Sequence, residues 1–159
     1  MAAAEFLLSE GEDAAVLRTV LQGLNEHNAA AAGPHGYRAI TLAVRRPGEE
    51  QAAGGLIGHA FFGWFFVKLL FLPQDLRGQG HGAALLRRAE DVARELGCTG
   101  IHLDTFSFQA RPFYERLGYR VFGTIEDHPP GHRRHFMMKR LDGGDAAPAG
   151  PRRSDDVPA

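Results

Sequence analysis

Residues Leu69 to Gly97, LLFLPQDLRGQGHGAALLRRAEDVARELG, constrain the fold more than any other stretch of this 159-residue chain. An apolar run from Phe65 to Leu72, broken only by Lys68, ends at Pro73, and a glycine-rich turn follows. Apolar residues then recur at Leu85, Leu86, Ala89, Val92, Ala93 and Leu96, which is helical spacing. The stretch therefore reads as strand, phosphate-sized turn and helix. Glu90 with Arg94, and Arg87 with Asp91, are spaced to support the helix as i,i+4 pairs, and Gly97 stands where a left-handed cap would end it.

Within the turn, Arg77-Gly78-Gln79-Gly80-His81-Gly82 places three residues without Cβ at a helix N-terminus. Unpaired N–H groups and the positive dipole end favour a phosphate there, the bare backbone lets it approach, and Arg77 adds a charge-assisted contact. Two rivals stand beside this reading. Gly78 to Ala83 also satisfies the relaxed dinucleotide fingerprint G-x-G-x-x-A, with Asp104 near the end of the next strand. Such a unit normally opens on its fingerprint strand, however, whereas this turn comes at mid-chain after at least two strands. A tight turn with no ligand is the other rival, and it has to explain glycines that weaken a helix start.

A second motif, SFQARPFYERLGY, runs from Ser107 to Tyr119. Arg77, Gly80 and Gly82 in the first motif, with Ala110, Tyr114, Gly118 and Tyr119 in the second, resemble the GNAT acyl-CoA N-acyltransferase superfamily in content, order and separation. The two span about a third of the chain. The resemblance implies an α/β fold of the α+β type: a mixed, mostly antiparallel sheet with a central parallel, splayed strand pair, flanked by helices. It implies acetyl-CoA as cosubstrate, with the pyrophosphate on Arg77, Gly78, Gln79, Gly80, His81, Gly82 and Ala83 and the pantetheine arm beside Leu70, Phe71 and Leu72. Ser107, Ala110 and Tyr114 would also border the cofactor. Ser107 stands where the family commonly has Asn, so its hydroxyl would make a smaller version of a carboxamide contact. Tyr114 is implied as the proton donor to the departing thiolate.

Taken in order, the chain predicts a short first strand over residues 5 to 8, a capping box at Ser9 and Glu12, and a helix with the stripe Leu17, Val20, Leu21 and Leu24. A loop from Asn25 to Pro34 follows. Strands are expected over Tyr37 to Arg45, Gly55 to Phe62 and Trp64 to Leu72, the last two as a hairpin around Gly63. Gly100 to Phe106 should lie parallel to the strand before the turn, because a strand-helix-strand unit crosses over with a right hand. A short helix over Gln109 to Leu117 and a closing hairpin, Tyr119 to Ile125 and Arg134 to Leu141, complete a single domain over residues 1–141. Residues 142–159 lack apolar periodicity and should form a disordered tail, so a chain ended at Asp142 should keep its melting temperature and activity.

A net charge of −1 gives no basic stripe for nucleic acid. Phe61 to Leu72 is too short to span a bilayer and contains Lys68. Cys98 is the sole cysteine, which excludes an internal disulfide and suits a reducing cytoplasm, and the N-terminal residues lack the pattern of a signal peptide. A homodimer is compatible with all of this; a nucleic-acid or membrane partner has no support.

Acyl transfer to an amine needs a group to take the amine's proton, N–H donors for the oxyanion, and a proton for the thiolate. Backbone N–H groups near Phe71 could supply the second. For the first, Asp104 lies at the C-terminal end of a central strand, where it could equally cap the next helix; His102, two residues away, reads more readily as a satisfied core or edge histidine. Trp64, His128 and His132 are candidates to line the acceptor pocket. His128, His132 and His135 also have a loose metal-ligand spacing, but Pro129-Pro130-Gly131 breaks any helix that would align them, so no metal is expected. The leading expectation is an N-acetyltransferase acting on a small-molecule amine by direct attack. A protein lysine or N-terminal acetyltransferase, and a CoA-binding sensor without turnover, are the alternatives.

Overall fold

The computed structural model describes residues 4–143; the expected tail falls almost wholly outside them. The described residues divide into two compact units, one ending at His35 and the other beginning at Gly36.

The first unit is built on helix α1, Ala14–Ala32. Residues 5 to 8 form no strand, and Phe6, Leu7 and Leu8 are exposed. The helix start is Asp13, whose carboxylate accepts from the N–H groups of Ala15 (2.9 Å) and Val16 (3.0 Å), so the expected box at Ser9 and Glu12 is replaced by a single aspartate cap. Nor does the helix stop at Asn25. It runs on through Ala29–Ala32, the strongest helix former in series, until Gly33 at φ 76° and Pro34 end it.

The second unit is a six-stranded sheet: β1 Arg38–Arg45, β2 Ala52–Phe61, β3 Trp64–Phe71, β4 Gly100–Phe106, β5 Arg120–Glu126 and β6 Arg133–Arg140. Their spatial order is β1-β2-β3-β4-β6-β5, antiparallel throughout except for the central parallel pair β3 and β4. This is the architecture the two motifs implied. The β2–β3 turn is two residues long, with Phe62 at φ 46° and Gly63 at φ 72°, the doubly left-handed geometry that suits a twisted hairpin.

Helix α2, His81–Glu95, carries the apolar stripe read from the sequence, and Leu85, Leu86, Ala89, Val92 and Ala93 are buried. Its end is a Schellman cap: Gly97 adopts φ 74° and donates to the Arg94 carbonyl (2.9 Å), and Cys98 N–H reaches the Ala93 carbonyl (2.8 Å). The expected Arg87–Asp91 pair does not form, because Asp91 takes Arg94 instead (3.1 Å). Helix α3, Arg111–Arg116, is short, with Pro112 in its first turn. Leu56, Phe65, Leu86, Ile101, Leu103 and Met137 lie at 0–2% exposure and form the centre of the core. Leu86→Ala should therefore cost about 2 to 5 kcal/mol, read as a fall in melting temperature, because such a site collapses only partly around the cavity. No described helix is long and apolar enough to cross a membrane.

Candidate active site

The turn between β3 and α2 is fastened on both sides. Arg46 donates to Asp75 through Nε (2.9 Å) and Nη2 (3.2 Å), Gln79 Nε2 donates to the Asp75 carbonyl (2.6 Å), and Arg77 Nε donates to the Leu72 carbonyl (2.7 Å). Gly78 (φ 71°) and Gly80 (φ 84°) hold left-handed conformations that let the chain turn into the helix, and a Cβ on either would meet nothing within 4 Å. Gly80 is the N-cap and offers no side-chain oxygen, while its carbonyl accepts from Ala84. The first N–H groups of α2, at His81, Gly82 and Ala83, are thus presented at an open, uncapped helix start, the arrangement that takes phosphate. Gly82 serves a second purpose: a Cβ there would sit 3.3 Å from Phe113 Cζ, so its bareness also seats α2 against α3.

The parallel ladder of β3 and β4 runs from Trp64↔Gly100 to Val67↔Leu103 and stops. Lys68 is bulged out of the β2–β3 register, since Ile57 pairs with Leu69 and Gly58 with Val67. Beyond that point Leu69, Leu70 and Phe71 remain paired with β2 but have no partner on the β4 side. The result is a fork, with peptide groups of β3 free to meet a ligand or a developing oxyanion. Asp104 is the first β4 residue past the vertex. It does not cap α3, whose start is Ala110 without any side-chain cap; its carboxylate receives Arg134 Nε at 2.8 Å. That bond raises the Arg134 guanidinium above its ordinary range, and the same guanidinium lies 5.6 Å over Phe106 and 5.3 Å over Phe136. His102 stacks on Phe66 (4.8 Å), and burial, with His59 second, pushes its pKa down.

Tyr114 sits in α3 and is only 8% exposed. No described group bonds its hydroxyl, and because no buried side-chain polar atom among the described residues lacks a partner, that hydroxyl is not sealed from solvent. Burial, and then the charge of Asp104, push the phenol above its usual pKa and keep it protonated.

The remaining candidates separate. Ser107 Oγ accepts from Arg133 N–H (3.1 Å) and lies 3.4 Å from His132 Nδ1, so it fastens the β5–β6 loop. His132 packs edge-on to Phe108 and His128 edge-on to Phe106, which gathers Ser107, His128 and His132 at one rim. His135 is instead a buried partner of Thr124 (3.0 Å), and no group of three His, Cys, Asp or Glu among the described residues could hold a metal ion. Trp64 begins β3, roughly 10 Å before the fork by strand rise, and its ring fills the space a Cβ on Gly100 would enter at 2.3 Å. Sequence reasoning missed the Asp104–Arg134 pair and the burial of Glu90, whose partners lie 30 and 49 residues away. The strand bulge and the Gly82–Phe113 contact also left no local pattern.

An open helix start beside a forked parallel strand pair, with a buried tyrosine whose hydroxyl has no partner among the described residues, is the geometry of the candidate site. The Acetyltransferase (GNAT) family model matches residues 21–119, and the chain belongs to that family of acyltransferases. It is 35% identical over 136 residues to the acetyltransferase Atu2258 of Agrobacterium fabrum, covering 86% of this chain and 98% of that one. Blasticidin-S acetyltransferase of Streptomyces morookaense is 46% identical over 92 residues, 57% of this chain and 68% of that one. Among solved structures, an acetyltransferase from Bacillus cereus superposes with TM-score 0.73 at 32% identity, covering 84% of this chain and 97% of its own.

Proposed function

We propose that this chain transfers an acetyl group from acetyl-CoA to a primary amine of a small molecule by direct attack. The observation that carries the reading is Tyr114, a buried phenol, raised in pKa, whose hydroxyl has no partner among the described residues and is not sealed from solvent. The thioester supplies the activated acyl group. The N–H groups of His81, Gly82 and Ala83 receive the phosphates, and Leu70, Phe71 and Leu72 border the arm, with unpaired β3 N–H groups steadying the carbonyl oxygen as it takes charge. Asp104 draws the cationic amine to the vertex and takes its proton, directly or through water, passing it to solvent; once the nitrogen has bonded to the carbonyl carbon, its second proton leaves by the same route. As the carbon–sulfur bond breaks, Tyr114 gives its proton to the thiolate and regains one from solvent. Cys98 is buried and its thiol is pushed up in pKa by that burial, which opposes an acyl-cysteine intermediate.

A small-molecule acceptor is supported by the blasticidin-S relative. A cytoplasmic setting and a homodimer belong to the same reading. The test is thiol release from acetyl-CoA across a panel of small amines and lysine peptides, beside calorimetric CoA binding. Turnover on a small amine supports the proposal; turnover on peptides alone gives the chain to protein acetylation, and binding without turnover makes it a sensor. In the same assay Asp104→Asn should raise the KM for amine and lower kcat/KM by about 10-fold or more, the worth of a removed charge contact. An unchanged kcat/KM would take Asp104 out of the site.

A further inference from the structure

Glu90 reads from its spacing as half of a surface pair with Arg94, yet its side chain is only 5% exposed. Arg94 does approach, at 3.7 Å, but the closer partners come from elsewhere. Lys139 of β6 donates to both carboxylate oxygens at 2.9 Å, and the Tyr119 hydroxyl donates to Oε1 at 3.1 Å. The Lys139 ammonium also lies 5.7 Å over the Tyr119 ring. Burial, and then the Glu90 charge, drive the Tyr119 phenol far above its usual pKa, so it remains a donor at any working pH.

Tyr119 in turn touches Tyr114 twice. Its backbone N–H donates to the Tyr114 carbonyl (3.1 Å), and its ring stands edge-on to the Tyr114 ring with centroids 6.0 Å apart. Helix α3 needs such a brace, since it is six residues long and has no side-chain cap at Ala110. A ring held at its face by Lys139, at its hydroxyl by Glu90 and at its backbone by Tyr114 is fixed in position and rotation. Packing alone would need only a phenyl ring.

We propose that Tyr119, held by Glu90 and Lys139, is a positioning residue that sets the Tyr114 ring where its hydroxyl can protonate the departing thiolate. This rests on the reading of Tyr114 as proton donor. A general acid acts only within hydrogen-bond reach, and a misplacement of about 1 Å can cost roughly 100-fold in rate.

The experiment is a kinetic cycle of four proteins: wild type, Tyr114→Phe, Tyr119→Phe and the double variant, with kcat, KM for acetyl-CoA and melting temperature measured for each. Tyr119→Phe should lower kcat by about 10-fold or more with KM for acetyl-CoA little changed. In the Tyr114→Phe background the same change should lower kcat no further, because there is no longer a hydroxyl to aim. An equal loss in both backgrounds, or no loss in either, overturns the proposal and leaves Tyr119 to packing. Normal kcat in Tyr114→Phe itself overturns the premise instead, which separates the two failures. Should Tyr119→Phe fail to fold, Glu90→Gln takes its place in the cycle under the same criterion: loss confined to the background that keeps Tyr114 supports the proposal, and equal loss in both sinks it.

Discussion

Tyr114→Phe should fold with a melting temperature near that of the wild type and turn over roughly 10²- to 10⁴-fold more slowly, the usual worth of a positioned general acid. The substitution removes one oxygen from a residue that is 8% exposed, and that oxygen has no protein partner to orphan. The ring contacts to Phe113 and Tyr119 remain. The loss should appear in kcat with little change in KM, since the contact is made as the thiolate leaves. The sign of its pH dependence follows from the raised pKa. Burial and Asp104 favour the protonated phenol, so the acid form persists to higher pH than in a free phenol and is lost only as pH rises through the raised pKa. An alkaline limb of kcat that belongs to Tyr114 must therefore lie above pH 10 and vanish in Tyr114→Phe. Near-normal kcat in the folded variant would remove Tyr114 from the mechanism, and a fall in stability instead of rate would assign it to the core.

The parts of this site that were legible in the sequence are those made by neighbours along the chain. Strand, glycine turn and α2 form one continuous stretch, and both the left-handed glycines and the Schellman cap at Gly97 are local events. Tyr114 could be placed because its motif lies within one short helix and its flanks. What was hidden depends on topology. Strand β6 inserts between β4 and β5, which brings Arg134 to Asp104 and Lys139 to Glu90, and no local pattern announces that order. The ion pair of Asp104 with Arg134 is therefore not legible from the chain around Asp104, where a cap and a base read equally well. Trp64 looked like a pocket wall, but register sets its ring against Gly100. The end of α1 differs for another reason: the apolar stripe stops at Leu24, which reads as a loop from Asn25, and the alanines that follow carry the helix onward to Ala32.

Gly82→Glu should remain folded and bind CoA at least about 30-fold more weakly, some 2 kcal/mol, as a carboxylate within several ångströms of a phosphate would impose. Folding should survive because an acidic residue in the first turn of a helix is favourable to the dipole, and the same attraction sets the new carboxylate against the phosphates for the N–H groups of α2. Packing is the confounding effect, since any Cβ at Gly82 comes within 3.3 Å of Phe113 Cζ. Gly82→Ala isolates it: that variant adds the Cβ without the charge, so the aromatic ring must give by a few tenths of an ångström while the anion site is left open. Calorimetry should then rank CoA affinity as wild type, Gly82→Ala a little below it, and Gly82→Glu far below both. The gap between the two variants should shrink as salt is raised, because the repulsion is between partly exposed charges. Equal weakening by Ala and Glu would mean that the turn acts through α2–α3 packing, and unchanged affinity in a folded Gly82→Glu protein would place the phosphates elsewhere.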